Sequence, residues 1–407
     1  MLATLIPLFD DSMIVRAYSV FAQKENLLLK PALLGTGSLD GAADIIGLDI
    51  INSMGLETIS GDKDVFIGLN NISLFSDIEH MCTAPAGKVV LLIDSTVAPN
   101  EANVNRIKAL KEAGYKLAIQ KLQVEQFEAH REILTLADYI LLNHKRIDIT
   151  KARIYFGKLF PNIKLVAVNV NTQEEYEALT ANGSYDLYEG EFFRMPVNEG
   201  EKEVAPLKAN YIELLNVVND QDFELTEAAD VIGRDTALVI SLLKMVNRMT
   251  MNSGITSVRH AAAMLGQKEL KKWINTAVTK ELCADKPSEI TRLSLLRAKF
   301  AENLAPVFEQ ASLSSELFLM GLFSVLDIIL DKPMEEALAM VKVSKDIRQA
   351  LLDKTGPLFP VLDFMRQYED ASWQEISRQM MLKEINMDQV YSAYIQSLVW
   401  YRDLFSV

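Results

Sequence analysis

The first half of the chain alternates short apolar runs with amphipathic helical stretches, and this alternation limits its fold more than any other feature. The strand-like runs are Leu2–Phe9, Met13–Phe21, Asp64–Leu69, Lys88–Asp94, Tyr115–Leu122, Asp138–Asn143, Ile163–Val170 and Tyr185–Tyr188. Strand–helix units of roughly 25 residues predict a parallel sheet with helices outside it, and six or seven of them in about 190 residues favour a closed (β/α) barrel of the TIM type. The polar turn after Phe9 predicts that the barrel begins with a hairpin.

The second half predicts an all-α domain, because apolar residues recur there with helical spacing and no strand pattern competes. The predicted helices are Leu207–Val218, Leu225–Ile232, Thr236–Met249, Ser257–Leu265, Lys268–Ala284, Ile290–Gln310, Ser314–Leu330, Met334–Met340, Ser344–Leu352, Leu358–Tyr368, Trp373–Met380 and Met387–Leu404. The polar segment Val197–Val204 separates the halves. We therefore predict an α/β barrel domain at 1–200 and an all-α domain at 201–407.

The balance of charges limits the kinds of molecule that the chain can bind. Among 407 residues, 41 Lys and Arg face 55 Asp and Glu, so the net charge is −14, which argues against binding to nucleic acid. The two cysteines lie far apart and form no metal or disulfide motif, as expected in a reducing cytoplasm. No apolar stretch reaches the about 18 residues that span a bilayer, so we expect a cytoplasmic protein without membrane insertion.

Few residues at the predicted barrel mouth have side chains that could catalyse a reaction or bind a metal. Asp94 and Glu189 are the carboxylates that follow or end the predicted strands, and two such groups do not predict a metal site. The four histidines have no metal-ligand spacing, and phosphate-loop and nucleophile-elbow motifs are absent from the sequence. We expect neither a metal nor a cofactor. An enzyme that uses Asp94 and Glu189 in a new arrangement stays open as an alternative.

Motifs at the start of the second half carry a resemblance. Arg234–Leu238 stands for the pattern D-P-x-L, Leu242–Asn247 for L-L-R-x-V-N-S, and Ile255–Gly266 for I-x-S-I-x-x-A-I-x-x-L-G. This combination resembles the HDOD domain, a regulatory module related to HD phosphohydrolases but without their His-Asp metal ligands. Ser324 and Val325 stand where an HD hydrolase has that pair. The resemblance implies that no metal binds there.

The first half resembles an EAL domain, the cyclic-di-GMP phosphodiesterase barrel. Ile6–Asp10 matches the opening motif, Ala17–Phe21 the signature strand, and Glu189–Pro196 the closing motif Q-G-Y-F-F-x-x-P. The chain as a whole is similar to EAL–HDOD signalling proteins of bacteria. The resemblance places substitutions at the family's functional positions, which here are Ser19, Gly68, Leu92, Gln120, Lys121, Leu141, Asn143, Val168 and Glu189. It implies a barrel without metal ligands, so we predict that the chain is not an enzyme, either as a cyclic-di-GMP phosphodiesterase or as an HD phosphohydrolase.

Two functions follow from this resemblance. The first is a non-catalytic signalling adaptor that acts through contacts with a partner protein. The methionine cluster, formed by Met245, Met249, Met251 and Met264, either fills space in the core or forms an adaptable binding surface for that partner. The second is a receptor for cyclic-di-GMP or another small anion at the barrel mouth, with Lys121, Asn143 and Asn169 as the binding residues. The substitutions do not favour cyclic-di-GMP itself. A homodimer stays open.

Overall fold

The computed structural model describes residues 1–26, 28, 43–183, 185–194, 206–220, 222–249 and 254–405. The chain forms two compact units, the first comprising Met1–Met195 with Asp363–Val407 and the second Pro196–Leu362. The predicted linker Val197–Val204 and Met251 lie outside the described residues.

The first unit is built around a closed barrel, as predicted. Its strands are β1 (Leu2–Phe9), β2 (Val15–Gln23), β3 (Asp64–Gly68), β4 (Val89–Ile93), β5 (Lys116–Ile119), β6 (Tyr139–Asn143), β7 (Lys164–Val168) and β8 (Leu187–Glu189). β1 pairs antiparallel with β2 and β8, and the other neighbours pair in parallel. The predicted hairpin is present; the Asp10 carboxylate fixes its turn by accepting the amides of Ser12 and Ile14 at 2.9 and 3.0 Å.

This topology defines two mouths. The carboxyl ends of β2–β8 and the amino end of β1 meet at one mouth, which we call the C-terminal mouth. The amino ends of β2–β8 meet at the other, the N-terminal mouth. A packed apolar layer lies between them, formed by Leu8, Ala17, Phe66, Val90, Leu92, Ala118, Tyr139, Leu141, Val166 and Leu187. Because side chains alternate along a strand, residues two positions from these also point into the barrel.

Helices surround the barrel. They are α1 (Ile46–Met54), α2 (Leu56–Ser60), α3 (Ile78–Met81), α4 (Glu101–Glu112), α5 (Arg131–Leu136), α6 (Ile149–Leu159) and α7 (Gln173–Ala181). Polar side chains cap the amino ends of three of them: Asn100 accepts the amide of Asn103, Asp148 that of Lys151, and Thr172 that of Glu175. Such caps satisfy amides that have no partner within the helix, and they fix where each helix begins after its strand.

The last three helices of the chain belong to the barrel unit from Asp363 onwards. They are α17 (Phe359–Glu369), α18 (Trp373–Leu382) and α19 (Met387–Phe405). Arg194 forms an ion pair with Asp370 at 2.7 Å, and Arg402 donates to the Thr58 hydroxyl at 2.8 Å. These contacts group residues 363–407 with the barrel, whereas the predicted division puts them in the helical domain. The division at 200/201 stays a prediction, because it falls outside the described residues.

The second unit is helical, as predicted. Its helices are α8 (Pro206–Asn219), α9 (Leu225–Ile232), α10 (Thr236–Met249), α11 (Val258–Leu282), α12 (Ser288–Leu304), α13 (Ser314–Phe323), α14 (Leu326–Leu330), α15 (Met334–Met340) and α16 (Lys345–Arg348). Gly266 breaks α11 with a φ of 72°, at the boundary between two helices that the sequence predicts. In the part of the chain that the structure describes, no helix is both long and apolar enough to cross a membrane.

Candidate functional site

The C-terminal mouth brings together the barrel positions where the resembled family has its ligands. Gly68 and Leu92 are partners across β3 and β4, and Asn143 and Val168 are partners across β6 and β7. Leu92 and Leu141 belong to the apolar layer, and Val168 packs against it. Apolar side chains therefore occupy much of the interior at this mouth.

The residues present do not fit a two-metal centre. Divalent ions of this kind need several carboxylate oxygens that converge on one point. Ser19 is 2% exposed, Leu92 4% and Leu141 6%, and none of these side chains carries a carboxylate. Among the described residues, no group of three or more His, Cys, Asp or Glu side chains is placed to hold a metal ion. We therefore derive no chemical step through metal ions at this mouth.

Glu189 is the last residue of β8 and lies at the C-terminal mouth. Burial raises the pKa of Glu189 to about 7, because the mouth offers the charged form too little water. The other candidate carboxylate, Asp94, accepts both the amide and the hydroxyl of Thr96, at 3.0 and 2.7 Å. Asp94 thus stabilises the turn after β4, and the structure gives no contact that joins it to Glu189.

Gly190 explains why the closing motif keeps its glycine. Its φ is 156°, and a Cβ at this position would lie 1.8 Å from the carbonyl oxygen of Val170. The backbones of β8 and of the segment after β7 therefore approach each other more closely than a side chain permits. The backbone amide of Val170 also donates to the carbonyl of Glu189 at 3.1 Å, which fixes Glu189 at the mouth.

The three predicted ligand-binding residues lie at the ends of adjacent strands. Lys121 follows β5, Asn143 ends β6 and Asn169 follows β7. Lys121 and Asn169 have φ values of 59° and 63°, in the left-handed region that costs energy for residues other than glycine. Asn143 uses its side-chain oxygen to accept the amide of Lys145 at 3.0 Å. The structure thus brings all three to one sector of the C-terminal mouth, with two of them on strained backbone.

Ser324 and Val325 lie between α13 and α14 and are buried, with exposures of 4% and 1%. The Ser324 hydroxyl donates to the carbonyl of Gly321 at 2.7 Å and accepts from Arg297 at 3.2 Å. A Cβ on Gly321 would lie 2.4 Å from the carbonyl oxygen of Arg297, so α12 and α13 are in close contact here. A buried guanidinium, which repels cations, therefore lies where the HD family has metal ligands, and this position does not fit a metal either.

The motif residues of the second unit fix local structure. The Asn247 side chain donates to the carbonyl of Ile255 at 2.9 Å and accepts the amide of the same residue at 2.7 Å. The Ser257 hydroxyl then accepts the amide of His260 as the amino cap of α11. These contacts join the end of α10 to the start of α11. They explain why asparagine and serine stand at these two motif positions.

Sequence reasoning missed a cavity at the N-terminal mouth. Lys88, Lys116 and Lys164 lie at the amino ends of β4, β5 and β7 and line this cavity. The sequence contained a sign of this cavity, because each lysine stands two positions before an apolar residue that faces into the barrel. Functional residues of such barrels usually lie at the carboxyl ends of the strands, so the predicted site residues all belong to the other mouth.

The comparisons with known proteins agree with this architecture. A family model described as HDOD domain matches residues 204–351. This match lies within the second unit. Cyclic di-GMP phosphodiesterase CdgJ of Vibrio cholerae serotype O1 (strain ATCC 39315 / El Tor Inaba N16961) is 26% identical over 328 residues, which are 79% of this chain and 75% of CdgJ.

Two solved structures are also similar. The manganese and cyclic-di-GMP complex of Klebsiella pneumoniae BlrP1 at pH 9.0 has a TM-score of 0.38 and 16% identity, over 46% of this chain and 54% of that one. This chain thus spans about half the length of BlrP1. A standalone versatile EAL protein from Vibrio cholerae O395, in its c-di-GMP bound form, has a TM-score of 0.35 and 15% identity, over 50% of this chain and 95% of that one.

The comparison with CdgJ corrects one prediction. The sequence predicts that the chain is not an enzyme, but CdgJ is named a cyclic di-GMP phosphodiesterase and is similar over 79% of this chain. The prediction of no activity is therefore wrong. That prediction rested on individual substitutions at motif positions. Such substitutions show which residues stand there, but they do not determine the activity of the whole chain.

Proposed function

We propose that this chain is a regulator in cyclic-di-GMP signalling that acts by binding a partner protein through its HDOD domain. The supporting observation is a set of exposed methionines on two consecutive HDOD helices. Met249 on α10 is 69% exposed, and Met264 on α11 is 49% exposed. Met245 lies one helical turn before Met249 and is half-buried. We call Met245, Met249 and Met264 the methionine face.

Methionine suits a surface that binds another protein. Its unbranched side chain adapts to the shape of a partner, and its burial removes apolar area from water. An exposed fraction of 69% leaves most of this area of Met249 in contact with solvent in the free chain. The contact between Asn247 and Ile255 fixes the backbone next to Met249, so the end of α10 is held in place for binding. Ordered backbone reduces the entropy lost when a partner docks.

Affinity capture from cells that express the chain tests this function. We compare the wild-type chain with a double variant, Met249→Glu and Met264→Glu, which places charges on the methionine face. The matched control is Met381→Glu, because Met381 is 45% exposed but lies on α18 in the barrel unit. We expect a protein that the wild type and the control capture and the double variant does not. Identical sets of captured proteins would contradict the proposal.

Hydrolysis of cyclic-di-GMP is measured on the same preparations with Mg²⁺ and Mn²⁺. The methionine face belongs to the second unit, whereas the barrel belongs to the first. We therefore expect the double variant and the control to hydrolyse cyclic-di-GMP at the same rate as the wild type, whatever that rate is. A change confined to the double variant would indicate that the methionines act on the barrel instead of on a partner.

A second function has its own supporting observation. Lys121 and Asn169 adopt left-handed backbone at the C-terminal mouth, and such strain persists at ligand-binding sites more often than elsewhere. The second proposal is a receptor for a small anion there, with Lys121 as its positive charge.

Thermal-shift measurements with cyclic-di-GMP and other nucleotides test it, since a ligand that binds the folded state raises its stability. Stabilisation by a nucleotide that is lost in Lys121→Ala but kept in Lys108→Ala, an exposed lysine on α4, is the expected result; equal stabilisation of both variants would contradict this second function.

A further inference from the structure

The N-terminal mouth of the barrel holds a cavity of about 670 Å³. It lies at the opposite end of the barrel from the candidate site, and three lysines from separate strands line it. We call Lys88, Lys116 and Lys164 the lysine mouth. Pockets for small molecules have volumes of about 300–1,000 Å³, so this cavity is large enough for one.

The register of the strands turns these lysines towards the barrel axis. Val90, Ala118 and Val166 belong to the apolar layer inside the barrel. Lys116 and Lys164 each precede one of them by two residues within a strand, so they point to the same side of that strand. Lys88 ends the short 3-10 turn directly before β4 and lines the same cavity. Layers inside such barrels are usually filled by branched apolar side chains. Here the layer at the N-terminal mouth carries ammonium groups instead.

Carboxylates at this mouth neutralise some of the cations. Asp64 forms an ion pair with Lys116 at 2.5 Å, and Asp10 forms one with Arg16 at 2.6 Å. Asp186 also lines the cavity, but its carboxylate accepts the backbone amide of Leu165 at 2.8 Å. Asp186 therefore keeps its negative charge, and Asp62, which also lines the cavity, forms an ion pair with Lys63 at 3.5 Å.

Two lysines, Lys88 and Lys164, form no ion pair with a carboxylate among the described residues. Lys88 donates to the backbone carbonyl of Asp62. The ammonium group of Lys164 lies 5.5 Å from the centroid of the Tyr139 ring. A backbone oxygen and an aromatic face stabilise an ammonium group without cancelling its charge. The cavity lining as a whole carries five cationic side chains (Arg16, Lys63, Lys88, Lys116 and Lys164) against four carboxylates (Asp10, Asp62, Asp64 and Asp186), so an anion meets a net positive charge there, on a chain whose net charge is −14.

We propose that the lysine mouth binds a small phosphorylated anion. Phosphate oxygens accept charge-assisted hydrogen bonds, and lysine binds phosphate as a point charge. Lys88 and Lys164 supply charges that form no ion pair, and Lys116 lies between them in the order of the strands. The ring of Tyr139, which is 6% exposed, forms an apolar floor beneath Lys164. This site is independent of the C-terminal mouth and of the methionine face.

Calorimetric titration of inorganic phosphate and pyrophosphate into the full chain at low salt tests the proposal. The variants Lys88→Gln and Lys164→Gln each remove one positive charge, and Lys108→Gln is the control on the surface of α4. We expect both probes to bind, pyrophosphate more tightly, with binding that weakens as salt screens the charges. A charge-assisted hydrogen bond contributes about 1.5–3 kcal/mol, so each mouth variant should weaken binding at least about tenfold. Lys108→Gln should bind as the wild type does.

An exposed carboxylate offers a variant that should increase affinity. The Asp62 side chain is 93% exposed, and Lys63 and Lys88 hold the pKa of its carboxyl below the ordinary value. Asp62→Asn removes a negative charge beside the cavity without disturbing the core, so it should bind pyrophosphate more tightly than the wild type. Weaker binding by this variant would overturn the proposal. So would binding that survives both lysine variants, or no binding of either probe at about 10 mM.

Discussion

The hydroxyl oxygen of Tyr368, on α17, accepts a hydrogen bond from the backbone amide of Ala3, on β1, at 3.1 Å. Both residues are buried, and 365 positions of sequence separate them. β1 is the strand that closes the barrel between β2 and β8. The C-terminal helices therefore contribute to the stability of the barrel unit.

Tyr368→Phe should lower the free energy of unfolding by about 1–3 kcal/mol, because it leaves the buried Ala3 amide without a partner. Urea denaturation followed by circular dichroism measures this loss. The control is Tyr185→Phe. The Tyr185 hydroxyl is buried without a hydrogen-bond partner in the described residues, so its removal should be neutral or slightly stabilising. Equal losses in the two variants would show that the contact with Ala3 does not stabilise the barrel.

Gly190→Ala should destabilise the barrel by about 3 kcal/mol or more, since the new methyl group would overlap the carbonyl of Val170. The matched control is Gly157→Ala in α6, where a Cβ would have no heavy atom within 4 Å. Alanine favours a helix over glycine, so this control should gain about 0.5–1 kcal/mol. Thermal unfolding distinguishes the two variants. A mild effect of Gly190→Ala would show that the two backbones are not in close contact.

Glu189 should make stability depend on pH. Its pKa rises from an ordinary value of 4.5 to about 7 on folding, so the folded state favours the protonated form. The stability that this group contributes is fully present below pH 4.5 and is lost as the pH rises through about 7. Glu189→Gln cannot ionise. It should match the wild type near pH 4 and exceed its free energy of unfolding by about 1–3 kcal/mol near pH 8.

Urea titrations at the two pH values measure this difference. Glu112→Gln is the control, because Glu112 is an exposed carboxylate at the end of α4. Because this variant keeps Glu189, it should lose stability between the two pH values as the wild type does. A Glu189→Gln variant with the same pH profile as the wild type would mean that water reaches the carboxylate freely.

Local pattern was sufficient to predict most elements of the fold. β1, α9, α10 and α15 have the predicted bounds, because each is a continuous periodic segment with clear ends. The predicted helix Ser314–Leu330 is instead two helices, interrupted at Ser324 and Val325. Apolar residues continue through the interruption, so hydrophobic periodicity carries no signal of it.

Long-range contacts explain what the sequence did not reveal. Tyr368 and Ala3 lie at opposite ends of the chain, and no local pattern pairs them. At the candidate site, motif positions identified the residues of the C-terminal mouth, but the backbone strain at Lys121 and Asn169 appears only in the folded chain. The charged layer of the N-terminal mouth depends on the register of three strands that are distant in sequence.

Affinity for the captured partner measures whether the methionine face is the surface that binds it. Calorimetric titration of this partner compares the wild type, the Met249→Glu and Met264→Glu double variant, and Met381→Glu. Residues buried at the centre of an interface often contribute 1 kcal/mol or more each, so the double variant should bind at least about tenfold more weakly. Met381→Glu should bind as tightly as the wild type. Equal affinity of all three chains would show that the methionine face does not bind the partner.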